Sequence, residues 1–193
     1  MKRFLLVTLL LVSGLVAAAS LALRAEGPVP RGFVILPPLV RAAMNELFLA
    51  NNEHWDELAD LTTLEQMLGT VKPTQREYLG CLQGTVVGDT VHVTQWSLAR
   101  NLKQLQFAVG GTCDHVAQFI GTWHTHPYRA DLRGHAVKER ALSSMDLATF
   151  AAGTDLVTIA VWDVDSVDTA LRRPGGEIDH PAQVEVRGSG MEE

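Results

Sequence analysis

Leu156-Val157-Thr158-Ile159-Ala160-Val161-Trp162 is an almost unbroken apolar run rich in β-branched residues. Such a run reads as a strand buried on both sides, so the chain must build a sheet with something packed on each face. The rest of the sequence supplies both parts. Phe33-Val34-Ile35-Leu36 reads as a strand, and Pro37-Pro38 then opens a helix in which Leu39, Val40, Ala43, Met44 and Leu47 fall at helical spacing through Ala50. Tyr78 to Val87 and Val91 to Ser97 read as two strands joined by Gly88-Asp89, a pair suited to a type II′ hairpin turn. Leu105 to Val109 reads as a further strand. Cys113 to Gln118 is expected as a short helix leading into a strand, Phe119 to Trp123, that ends at two histidines.

Ser143 to about Ala152 is expected as a helix, Val184 to Val186 as an edge strand, and Arg172 to Pro181 as a loop. Trp55, Leu58, Leu61, Leu64 and Met67-Leu68 keep a three-to-four-residue period, which predicts a helical insertion before the sheet resumes. The fold class is therefore α/β in the broad sense (α+β): a mixed, curved β-sheet flanked by helices. At 193 residues the chain is long enough for one well-filled domain, spanning residues 33–187, followed by a disordered tail at 188–193.

Sixteen basic against 22 acidic residues give a net charge of -6, with no basic run beyond the extreme N-terminus. That balance argues against a phosphate backbone as partner, and no nucleic-acid partner is expected. Residues 1–24 have the form of an export segment: Lys2 and Arg3 precede an apolar run from Phe4 to about Leu23. Ala17-Ala18-Ala19 suits cleavage of a signal peptide, while the continuation to Leu23 and Arg24 suits an uncleaved membrane anchor. In both cases the charge order sends the remainder across the membrane, facing the periplasm or exterior, or secreted after cleavage. Cys81 and Cys113 would then meet an oxidising compartment, either as a disulfide or as two small buried apolar side chains.

Chemistry concentrates in Gly121-Thr122-Trp123-His124-Thr125-His126-Pro127 and Ser143-Ser144-Met145-Asp146. Alternate residues of a strand share a face, so His124 and His126 present both imidazoles to one point while Thr125 points away. Taken alone, the pair also fits exposed polarity on a strand. Asp146 lies in the first turn of the expected helix and is the best third ligand, although Ser-x-x-Asp is equally a helix-capping pattern. Arg129-Ala130-Asp131 after the pair breaks the His-x-His-x-Asp-His run of metallo-β-lactamases, and there is no His-Glu-x-x-His motif.

Glu77-Tyr78-Leu79-Gly80-Cys81-Leu82-Gln83-Gly84 upstream, with the two segments above, resembles the JAMM or MPN-plus (JAB domain) zinc metalloprotease family. That family's pattern is an upstream Glu, then His-x-His-Pro, then Ser-x-x-Asp, and the likeness covers roughly residues 33–165. The resemblance implies a JAB/MPN-like, cytidine-deaminase-like domain. It implies one zinc ion per chain held by His124, His126 and Asp146, with Glu77 as general base and Ser143 as hydrogen-bond donor to the oxyanion. It implies hydrolysis of a peptide or isopeptide bond in a protein or peptide substrate, ubiquitin-like proteins among them.

An exported member would meet envelope proteins, peptides or targets outside the cell instead. The alternative is a non-catalytic MPN-like scaffold at the cell envelope, against which all five residues stand. Phosphoester hydrolysis fits poorly with one carboxylate ligand and no basic phosphate-binding cluster. The connection Pro127 to Leu142 is longer than is usual in the family, and its polar residues are expected to bulge outward, with His135 solvated.

Overall fold

A computed structural model describes residues 32–52, 76–105, 108–130 and 136–187. The export segment at 1–24, the helical insertion around Trp55 to Leu68, His135 and the tail at 188–193 lie outside the described residues. In chain order the elements are β1 (Phe33–Leu36), α1 (Pro38–Asn51), β2 (Leu79–Val87), β3 (Thr90–Leu98), β4 (Arg100–Gln104), β5 (Val109–Thr112) and β6 (Phe119–Thr125). They continue with β7 (Arg129–Ala130), β8 (Ala136–Val137), α2 (Ser144–Ala152), β9 (Val157–Asp163), β10 (Ser166–Arg172), β11 (Ile178–Asp179) and β12 (Gln183–Val186).

Eight strands form one curled sheet in the order β11-β10-β9-β6-β2-β3-β1-β12. It is mixed: β6 runs parallel to β9, and β1 runs parallel to both β3 and β12, while the other pairs are antiparallel. The β2–β3 hairpin turns at Gly88-Asp89, where Gly88 has φ +60 and supplies the positive angle that a type II′ turn needs at its first central residue.

The buried run in β9 explains the layering. Val157, Ile159 and Val161 join Val40, Met44 and Phe48 of α1 in one core. Ala160 points to the opposite face and packs with Phe150 of α2, Leu142 and Ala170. One strand therefore needs a helix on each side, as its composition requires. Trp123 lies on the α1 side and is fully buried. A Cβ on Gly80 would come within 2.0 Å of the Trp123 indole nitrogen, so the glycine in β2 clears the space for that ring.

Several expectations need correction. Leu39 of α1 is 83% exposed; the buried stripe runs through Val40, Met44 and Phe48, displaced by one position from a face that includes Leu39. Of the expected strand from Leu105 to Val109, Val109 lies in a strand, as the first residue of β5, and residues 106–107 lie outside the described ones. The Leu105 amide donates to the Ala108 carbonyl at 2.8 Å, next to the Gln104↔Val109 pair of β4 and β5. Cys113 to Gln118 is a pair of turns rather than a helix: the Val116 amide donates to the Cys113 carbonyl, and Gln118 takes φ +50, which ends any helical path.

Arg172 to Pro181 is not wholly loop, because β11 folds back on the end of β10 through Leu171↔Asp179 and Arg172↔Ile178. β10 itself has no counterpart in the sequence reading. Val184 to Val186 does form an edge strand, within β12.

Cys81 and Cys113 are joined in a disulfide. The bridge ties β2 to the segment after β5. It thereby holds the β4–β5 hairpin against the same side of the sheet as the histidines.

Candidate metal centre

Register decides which side chains meet. Leu79 pairs with His124 across β2 and β6, and His124 pairs with Ala160 across β6 and β9. Opposed residues share a face. Continuing the antiparallel register by two places sets Glu77 opposite His126, so Glu77, Leu79, Thr122, His124 and His126 all face the α2 side. Thr125 points the other way and is completely buried. Its hydroxyl accepts from the Tyr78 amide at 2.9 Å, and its own amide donates to the Tyr78 carbonyl at 3.0 Å. These two bonds fix the chain beside Glu77 to the strand that carries the histidines.

His126 is held equally firmly. Its amide donates to the Val161 carbonyl at 2.8 Å, and its Nδ1 lies 3.4 Å from the Glu139 carbonyl, leaving Nε2 to face His124. The long connection after Pro127 thus returns to touch the site. Its end is anchored where Lys138 forms an ion pair with Asp163, whose other oxygen accepts from the Tyr128 hydroxyl at 2.8 Å. Within that connection Arg129–Ala130 pairs with Ala136–Val137 as β7 and β8, and residues 131–135, where most of the expected bulge falls, lie outside the described ones.

The third group comes from α2. Ser143 is the N-cap: its Oγ accepts from the Asp146 amide at 3.2 Å, and its amide donates to Asp146 Oδ2 at 2.7 Å. This capping box fixes the first turn and aims the Asp146 carboxylate at the sheet. The carboxylate stands 3.5 Å from His124 Nε2 through Oδ1 and 3.4 Å from His126 Nε2 through Oδ2. The capping and ligand readings of Asp146 are therefore compatible. At the other end of α2, Arg172 donates to the carbonyls of Phe150 and Gly153, fastening the helix C-terminus to β10.

The two Nε2 atoms are 3.0 Å apart, and one ligand atom from each of His124, His126 and Asp146 falls within 4.8 Å of the others. Nitrogen and oxygen ligands at about 2.0–2.2 Å from a tetrahedral ion stand roughly 3.3–3.6 Å apart. The two imidazole–carboxylate separations fall in that range and the Nε2–Nε2 separation is somewhat shorter, so two buried imidazoles and one carboxylate could hold a metal ion. Burial opposes ionisation of Asp146, yet the adjoining imidazoles and the Ser143 cap hold its carboxyl far below the usual carboxylate range. Burial likewise disfavours a charge on His126, but Asp146, with Glu139 and Glu77 behind it, outweighs that and raises its pKa.

A cleft of about 340 Å3 opens over this group. Glu77, His124, Ser143 and Asp146 all line it. Glu77 is 5% exposed, with its backbone held by Leu105 and by the Gln104 side chain at 3.0 Å. The structure thus gathers Glu77, His124, His126, Ser143 and Asp146 on one side of the sheet.

It adds others that the sequence reading missed. Thr122 alternates with the histidines and could have been found from that spacing. Met145 lies within the Ser143 to Asp146 segment itself, whereas Asp155 and Val109 line the cleft from segments with no local signal. Comparison with known proteins found no matching family model and no matching curated protein.

Proposed function

We propose that the chain is a zinc-dependent metallopeptidase or isopeptidase of the JAMM type, built on a JAB/MPN-like domain. The observation that carries this reading is the convergence of two buried imidazoles and one carboxylate beneath a cleft that Glu77 and Ser143 also line. His124, His126 and Asp146 would hold the ion. Bound there, zinc supplies a Lewis acid that brings the pKa of a water from about 15.7 to about 7.

The chain's own residues do the remainder. Glu77 takes a proton from the attacking water at its carboxylate and passes it to the departing amine nitrogen as the C–N bond breaks. Two neighbours hold the backbone on either side of its side chain: the Glu77 amide donates to the Leu105 carbonyl at 3.3 Å, and the Gln104 side chain donates to the Glu77 carbonyl at 3.0 Å. Ser143 Oγ accepts from the Asp146 amide, so its own proton is available for the oxygen of the scissile carbonyl. Met145, 73% exposed at the rim of the cleft, offers an apolar contact to a substrate side chain.

Substrates are proteins or peptides, ubiquitin-like proteins included by resemblance. The Cys81–Cys113 bridge supports export, since disulfides persist in oxidising compartments. Among the described residues no helix is long and apolar enough to cross a membrane; the membrane attachment proposed here is through residues 1–24. The test is cleavage profiling of purified protein against a library of peptides and ubiquitin-like fusions, with and without chelator. Cleavage that the chelator abolishes and zinc restores supports the reading; no cleavage, or cleavage indifferent to chelator, overturns it.

A further inference from the structure

Beyond the five residues of the site, a further carboxylate, that of Asp168, stands on the same face of the sheet. Asp168 of β10 pairs with Ala160 of β9, which pairs with His124 of β6. The three side chains form a row across the strands on the α2 side. Ala160 is fully buried and small, which lets the chain just before α2 come down onto the sheet there. Asp168 Oδ2 accepts from the Leu142 amide at 2.8 Å. Leu142 is buried and immediately precedes the N-cap, so its amide has no solvent to turn to. The same oxygen accepts from His180 Nε2 at 2.7 Å, reaching in from the end of β11.

We propose that Asp168, itself held by His180, is a positioning residue that sets Ser143 and Asp146 against the imidazole pair. The connected path is short. His180 fixes Asp168, Asp168 fixes the Leu142 amide, and the next residue is Ser143, whose amide and hydroxyl both bond to Asp146. The Ser143 carbonyl then accepts from Leu147 at 3.0 Å and starts the helix. With Arg172 fastening the other end of α2, β10 grips the helix at both termini. The metal carboxylate and the oxyanion donor thus share a single support in a strand that lies outside the motif-bearing segments.

This inference rests on the proposed metal site, and its test separates the two. Zinc affinity is measured by competition with a chromogenic chelator for the wild type, Asp168→Ala and Asp168→Asn. Amide hydrogen exchange is followed at Leu142 in the metal-free proteins. Asparagine keeps an oxygen that accepts from Leu142, whereas alanine does not. Outer partners of metal ligands are worth roughly 10–100-fold in affinity. The expected result is a loss of roughly tenfold or more for Asp168→Ala, with Asp168→Asn near the wild type, and faster Leu142 exchange in the alanine variant alone.

A merely structural role would lower the melting temperature of both variants and leave zinc affinity unmoved, and that result overturns the proposal. Equal losses in both variants overturn it too, because the accepting oxygen would then be irrelevant. If the wild type itself binds no zinc, the proposed function fails. The bracing is then decided by exchange, supported by Leu142 opening in Asp168→Ala and overturned by unchanged protection.

Discussion

Breaking the Cys81–Cys113 bridge should cost the fold measurably and loosen one wall of the cleft. The bridge closes a loop with a sequence separation of 32. Chain entropy for a loop of that length amounts to about 3.7 kcal/mol at 25 °C. For a domain of this size each kcal/mol moves the melting temperature by about 2–4 °C, which gives a fall of about 7–15 °C. Cys81 is fully buried, so native reduction would be slow.

The chain is therefore unfolded in denaturant, refolded with and without reductant, stripped of metal, and melted by circular dichroism. Because the bridge anchors the segment after β5, and Val109 of that strand lines the cleft, amide exchange in Val109–Thr112 should quicken in the reduced form. A melting temperature that moves by less than about 2 °C would refute the reasoning, since the bridge would then restrain nothing that the sheet does not already hold.

Glu77→Gln keeps the ligands and the fold but removes the proton acceptor, so zinc content should be unchanged while turnover drops by about 10²–10⁴-fold. Turnover within a few-fold of the wild type would remove Glu77 from the mechanism. Burial raises the pKa of Asp155, against the opposing charge of Arg172 and a hydrogen bond from Thr122. A carboxyl whose pKa is higher folded than unfolded is penalised only when ionised, so the penalty is absent below its ordinary value of 3.8 and grows as pH rises through the raised value. Asp155→Asn should therefore be more stable than the wild type near neutral pH and lose that advantage in acid, as read from chemical denaturation across pH; an advantage that persists in acid contradicts the assignment.

The parts of this molecule that could be read from sequence are those set by neighbouring residues. β1, α1, the Gly88-Asp89 hairpin and β9 each declare themselves through local periodicity or turn chemistry. The alternation that puts both imidazoles of His124 and His126 on one face is local as well. Leu105 to Val109 reads as one strand, whereas Leu105 and Ala108 bond to each other across β4 and β5, a pairing that no local spacing shows. Cys113 to Gln118 carries helix-compatible residues, but the partner that pins Cys113 lies in β2.

β10 was invisible because Ser166-Val167-Asp168-Thr169-Ala170-Leu171-Arg172 alternates weakly and owes its place to pairing with β9. The site divides in the same way. Ser143 and Asp146 announce a capping box within four residues, whereas the meeting of Glu77 with His126 depends on a β2–β6 register that no spacing reveals. Asp168 belongs with the unreadable part, since its partners lie in β11 and before α2.

The account depends most on Asp146 acting as a metal ligand as well as a helix cap. Elemental analysis of purified wild type, Asp146→Ala and Asp146→Asn, each titrated with zinc and passed through a desalting column, tests that dual role directly. The wild type should retain about one zinc per chain and the alanine variant almost none. Asparagine, which preserves the cap far better than it preserves the charge, should also fail to hold the ion. Wild-type protein that retains no zinc, or an Asp146→Ala variant that retains as much as the wild type, would contradict the central claim.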